Sequence, residues 1–181
     1  MGKLTVTCFI TLDSVVEDPH LWSGAFQSED TGELNSEVLM EADAMVLGRM
    51  TYEGFAAAWP SRSGDLFSDK FNSMPKYVVT STLERADWNN TTILSEDPFG
   101  RIRELKAEQN LLVWGSPQLV QGLLDEELVD ELVLLYSPIV KGEGKRLFPD
   151  GGAPRTLKVA DSTTLSGGML ALRLVAASAS A

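Results

Sequence analysis

Leu47-Gly48-Arg49-Met50-Thr51-Tyr52-Glu53-Gly54-Phe55 is the stretch on which the reading of the fold turns. It follows the apolar run Ala44-Met45-Val46-Leu47 and leads into apolar or small residues at Tyr52, Phe55, Ala56 and Trp59, a helical spacing. A strand that passes through Gly into a helix leaves backbone N–H groups free at the helix start, and those groups and the helix dipole favour an anion. Arg49 adds a fixed cation suited to bidentate phosphate contact, and Thr51 adds a hydroxyl in the first turn. Gly48, Arg49, Met50 and Thr51 are therefore candidate anion-binding residues, against the plain alternative of an ordinary turn with an exposed Arg.

Similar junctions flank this one. Val113-Trp114-Gly115-Ser116-Pro117-Gln118-Leu119 is a second strand–turn–helix, with Gly115 permitting close backbone approach and Pro117 suited to a first helical turn. Thr80-Ser81-Thr82-Leu83-Glu84-Arg85 follows a further strand, Lys76-Tyr77-Val78-Val79-Thr80, and offers hydroxyls and Arg85 to another phosphate. Ligands of parallel sheets gather at the carboxyl ends of the strands. Two helix starts there suit a pyrophosphate, and the third loop suits a phosphate such as the 2′-phosphate of NADP.

The rest of the chain fits such a sheet. Residues 3–11 read as the first strand, 30–42 as a helix, 43–47 as the second strand and 91–94 as the fourth. A helix runs from the opening motif to Trp59 and stops at Pro60, and a short one is expected around 66–72. Helices follow at 98–108 and 116–124, either side of the apolar strand 110–114. Alternating strands and helices predict a mainly parallel sheet. The tail differs, with strand-like runs at 129–136, 156–164 and 169–176, the last two joined by Leu165-Ser166-Gly167-Gly168. That composition predicts an antiparallel hairpin. The Gly- and Pro-rich connection 137–154 is expected to be a structured loop, and the small-residue tail 176–181 to fray.

Composition narrows the function. The 181 residues suit one domain, with 44% hydrophobic and 23% charged residues. A net charge of −11 argues against nucleic acid as a partner. No apolar run is long enough to span a bilayer, and the start lacks a signal-peptide layout, so a cytoplasmic, membrane-free protein is expected. Cys8 and His20 are the only residues of their kinds, which leaves no Cys or His cluster for a metal.

In order along the chain, these motifs resemble the dihydrofolate-reductase-like superfamily. The nearest likeness is the branch formed by the C-terminal reductase domain of bifunctional riboflavin-biosynthesis enzymes. The resembling residues are Ile10-Thr11-Leu12-Asp13-Ser14-Val15-Val16, Leu47 to Glu53, Val78 to Thr82 and Val113 to Val120. Leu128-Val129-Asp130-Glu131-Leu132 and Pro138 to Phe148 complete the set. The resemblance implies a single three-layer α/β domain over 1–181, with a mixed, mainly parallel central sheet and an antiparallel C-terminal hairpin. It implies NADPH as cofactor, held by Gly48, Arg49, Met50, Thr51, Thr80, Ser81, Thr82, Gly115, Ser116, Pro117, Gln118 and Leu119. Asp13 and Ser14 would lie beside the nicotinamide, with Asp13 a candidate catalytic group. The family often pairs through its late strands, which makes a homodimer expected, with apolar surface at Leu132, Leu134 and Tyr136. Two positions depart from the family pattern: Ser14 and Ser116 stand where Gly is common.

The expected reaction is reduction of a heteroaromatic or ribosylaminopyrimidine-like small molecule by direct hydride transfer, without a metal. Glu33, on the acidic row of the first helix, is the candidate proton donor, and a solvated helix face is the competing reading. Ser14, Val15, Trp22 and Trp59 are candidate pocket residues, and Arg62, Lys141, Lys145 and Arg146 candidate contacts for a substrate phosphate. Two other functions compete: a dihydrofolate or pterin reductase, and a non-catalytic, dimeric nucleotide-binding protein.

Overall fold

The computed structural model describes residues 2–176, so most of the tail expected to fray lies outside the described residues. The strands are β1 (Leu4–Thr11), β2 (Ala44–Gly48), β3 (Lys76–Val79), β4 (Thr91–Leu94), β5 (Leu111–Trp114), β6 (Glu131–Ser137), β7 (Leu157–Thr164) and β8 (Leu170–Ala176). The helices are α1 (Glu29–Met40), α2 (Arg49–Ala58), α3 (Leu66–Ser73), α4 (Pro98–Glu108) and α5 (Pro117–Asp125). Two short 3₁₀ turns, Pro19–Leu21 and Gly24–Phe26, fold the connection from β1 to α1.

All eight strands form one sheet in the order β4-β3-β2-β5-β1-β6-β8-β7. The first six pair in parallel, and β8 runs antiparallel to both β6 and β7. This is the dihydrofolate-reductase-like architecture, with the expected hairpin at its end. Within the parallel part the alternation of strand and helix lapses between β3 and β4, parallel partners joined by loop 80–90, whose Leu83, Ala86 and Trp88 pack against the core there.

Strand alternation divides the core into two layers. Leu4, Val6, Cys8 and Ile10 of β1 face Ile102, Leu105, Val120 and Leu123 of α4 and α5. Met45 and Leu47 of β2 and Leu112 of β5 face Val38 and Leu39 of α1, Tyr52 of α2 and Phe71 of α3. Helix starts follow their capping chemistry: Asp65 accepts the Ser68 amide at 2.9 Å and Asp97 the Gly100 amide at 3.2 Å. Among the described residues no helix is long and apolar enough to cross a membrane.

One expectation is corrected. Leu132 and Leu134 offer no surface to a partner, because they lie 1% and 0% exposed beneath the α4–α5 layer. Tyr136, on the same strand, is half-buried. The exposed apolar positions at that end are Val159 and Leu170, at 55% and 39%.

Candidate active site

The sheet order puts β3, β2, β5 and β1 side by side. Their carboxyl ends carry the loop at Thr80, the turn at Gly48, the turn at Gly115 and the loop at Asp13. The sequence motifs, dispersed over more than a hundred residues, thus become neighbours along one rim.

Gly48 and Ser116 join the two central turns. The Gly48 amide donates to Ser116 Oγ at 2.9 Å, and Ser116 Oγ donates to Thr51 Oγ1 at 2.8 Å. Ser116 is the N-cap of α5 at φ 60°, ψ 70°, so it keeps the left-handed backbone a glycine would adopt freely. Ser14 does the same in the first loop, at φ 68°. Both serines therefore preserve the glycine-type turn, and the departures do not distort the rim. A Cβ on Gly48 would stand 2.9 Å from Ser116 Oγ, so a side chain at 48 would have to displace this contact.

The helix starts supply the donors. No side chain caps α2 at Gly48 or α5 at Ser116, and Pro117 occupies the first turn of α5. The amides of Arg49, Met50 and Thr51, and those of Gln118 and Leu119, lie in first turns where no intrahelical acceptor exists. The Leu119 side chain points into the core, so that residue offers its backbone alone. Arg49 is exposed and ion-pairs with Glu53 one turn along α2 at 3.1 Å. Thr80 is buried and folds its own loop, its hydroxyl accepting the amides of Thr82 and Leu83 at 3.1 and 3.2 Å. Ser81 and Thr82 are left exposed, while Arg85 pairs with Asp87 at 2.6 Å.

Asp13 holds the other end of the rim. Its carboxylate accepts the Thr11 hydroxyl at 2.6 Å and the amides of Lys141 and Gly142 at 3.1 and 2.7 Å. Chiefly the Thr11 hydroxyl, and then the Gly142 amide, pull its pKa down to about 2. It is an ionised anchor for the strap 138–147 and, in this state, no source of protons. The strap also pairs with the first loop, Val16 donating to Lys145 O and Leu147 to Ser14 O. Glu17 fastens it again through the Lys145 amide at 3.3 Å. The role of the strap was hidden from the sequence; the Thr-x-Asp spacing at Thr11 and Asp13, typical of a side-chain-capped turn, was its one local signal.

The remaining candidates are placed as follows. Val15 is fully buried beneath the strap, where a Cβ on Gly144 would come within 2.8 Å of it. Trp22 is buried and donates its indole N–H to Glu17 O at 2.9 Å. Trp59 follows the last turn of α2, its ring tilted against Phe67 and Phe71 at 5.4 and 4.6 Å with Arg62 over it, and both phenylalanines also meet Trp114, the last residue of β5, edge-on. An open groove of about 500 Å³ is lined by Arg62, Asn72 and Trp88. It is at the amino ends of β3 and β4, away from the rim. Glu33 is exposed, with no hydrogen-bond or ion-pair partner among the described residues.

The architecture and the rim define a dihydrofolate-reductase-like protein. The sequence profile of the RibD C-terminal domain matches residues 2–171, and the chain belongs to that family of reductases. The Bacillus subtilis (strain 168) protein YwjB is 28% identical over 152 residues, which span 81% of this chain and 82% of that one. Among solved structures, a protein of Shewanella sp. PV-4 provisionally named for riboflavin biosynthesis superposes with a TM-score of 0.77 at 21% identity, over 97% of this chain and 99% of its own. A Thermotoga maritima diaminohydroxyphosphoribosylaminopyrimidine deaminase/5-amino-6-(5-phosphoribosylamino)uracil reductase superposes with a TM-score of 0.67 at 16% identity, over 97% of this chain and 57% of that one. At these identities the structural likeness speaks for the fold.

Proposed function

We propose that the protein is an NADPH-dependent reductase of a heteroaromatic or ribosylaminopyrimidine-like small molecule. The observation that carries this reading is the meeting of two uncapped helix starts, α2 and α5, at the carboxyl ends of adjacent parallel strands, joined through Gly48, Thr51 and Ser116. That rim suits a dinucleotide: free amides of both first turns would receive a pyrophosphate, Arg49 would add charge, and the exposed Ser81 and Thr82 would be open to a 2′-phosphate. When bound, the cofactor supplies the hydride. The chain's own work is to hold it and to shape the ground beside it. Asp13, committed to the strap, fixes the first loop against the strap and leaves proton delivery to solvent or to the substrate.

Titration of the purified protein with NADPH, followed by calorimetry or by cofactor fluorescence, tests the reading. Saturable binding, together with NADPH oxidation by a member of a pyrimidine and pterin panel, is the expected result. An absence of NADPH binding refutes it. Binding without oxidation of any panel member favours a non-catalytic nucleotide-binding role.

A further inference from the structure

Resting on the cofactor reading above, we infer that Ser116 is a positioning residue that commits the Thr51 hydroxyl to donate into the anion site. Ser116 Oγ accepts the Gly48 amide at 2.9 Å, and its single proton goes to Thr51 Oγ1 at 2.8 Å. Thr51 is thereby the acceptor of that bond, so its own proton turns away from Ser116. It has no other hydrogen-bond partner among the described residues, and it is half-buried in the first turn of α2, where unpaired amides lie. The result is a one-way chain, N–H to O–H to O–H, with a donor at its outer end. Successive bonds in such a chain polarise one another. The group an outward hydroxyl beside free amides receives best is an anionic oxygen.

The backbone makes the assignment specific to the side chain. Gly would adopt φ 60° more readily than Ser and would keep the turn. It would also leave the Gly48 amide, a fixed donor, without its acceptor, and the Thr51 hydroxyl free to rotate as donor or acceptor. Ser116 thus adds direction to a cradle whose shape does not require it.

The test is calorimetric titration of wild type, S116G, T51V and the double variant S116G/T51V with NADPH and, separately, with inorganic pyrophosphate. S116G is the informative change because it removes the hydroxyl while favouring the observed backbone. Expected is a loss of about ten-fold in affinity for both ligands in S116G, the scale of a charge-assisted hydrogen bond. A similar loss is expected in T51V, with no further loss in the double variant, because both act through one donor. S116G binding as tightly as wild type, or losses that add in the double variant, would overturn the assignment while leaving the cofactor reading intact. Wild type that binds neither ligand would remove both.

Discussion

The carboxylate of Asp13 accepts the amide of Gly142 at 2.7 Å, across 129 residues of sequence. The bond closes a glycine-rich strap over the end of β1 and turns a residue that resembles a catalytic acid into a structural anion. Its consequence is a pH dependence. The pKa falls from an ordinary 3.8 to about 2 on folding, so the unfolded chain binds the proton more tightly. This stability is fully present above pH 4 and is lost as pH falls toward 2. Urea unfolding at stepped pH is expected to show a steeper acid loss in wild type than in Asp13→Asn, because the amide has no charge to lose.

Arg49 and Glu53 compete with any phosphate at the start of α2. Arg49→Ala is expected to weaken NADPH binding by about 1–3 kcal/mol, the scale of a lost charge-assisted hydrogen bond. Glu53→Gln releases Arg49 from a pair whose side chains are 44% and 43% exposed, and should strengthen binding by roughly 0.3–0.5 kcal/mol. Calorimetry at low and high salt checks both, with the Glu53→Gln gain shrinking as salt rises.

Lys76 is fully buried, and its ammonium donates to the carbonyls of Asn72, Met74 and Asn89 at 2.9, 2.8 and 3.1 Å while lying 4.3 Å from the Trp88 ring centre. Lys76→Met strips the donor from these carbonyls and should cost about 3 kcal/mol in denaturant unfolding. Burial pushes the amine down to about 8 from an ordinary 10.5, against the pull of the carbonyls and the ring. Between those values the unfolded chain holds the proton more tightly, so wild-type stability should rise with pH through that window. Lys76→Met should abolish that slope.

Among the described residues Glu33 makes no ion pair on the outside of α1. Glu33→Gln should change stability by less than about 0.5 kcal/mol, as for surface substitutions in general, and should leave reductase turnover unaltered. A turnover that disappears in this variant would revive the dihydrofolate-type assignment.

Self-association is proposed to use the open edge at β7. Val159→Lys on that edge should shift a dimer toward monomer in sedimentation velocity without altering the fold. Wild type sedimenting as a monomer at micromolar concentration would refute the dimer.

Much of this was legible in the residues themselves. Apolar runs such as Leu111–Trp114 declare strands, and Gly48 and Gly115 mark turns because their chemistry is local. What stayed hidden was non-local. Nothing near Asp13 announces that its partners are the amides of Lys141 and Gly142. Nothing near Leu132 tells whether its strand is an edge or lies under a helical layer. Nothing near Trp59 announces that its neighbours Phe67 and Phe71 also pack on Trp114 at the end of β5. At Ser14 and Ser116 the sequence shows a side chain where Gly is common, and only the backbone angles reveal that the turn survived.

The central position of β1 has a consequence for how the protein is made. Leu4 pairs beside Leu111, and Thr5 beside Glu131, so the first strand synthesised waits for the fifth and sixth. The outermost strand, β7, reaches the sheet only through β8, which follows it in the chain. During synthesis β1 therefore emerges early with no neighbour, while β2, β3 and β4, consecutive along the chain, can pair with one another before β5 and β6 close the sheet around β1. Such long-range closure is slow. Folding of this sheet is therefore expected to be limited by the pairing of β1 with β5 and β6.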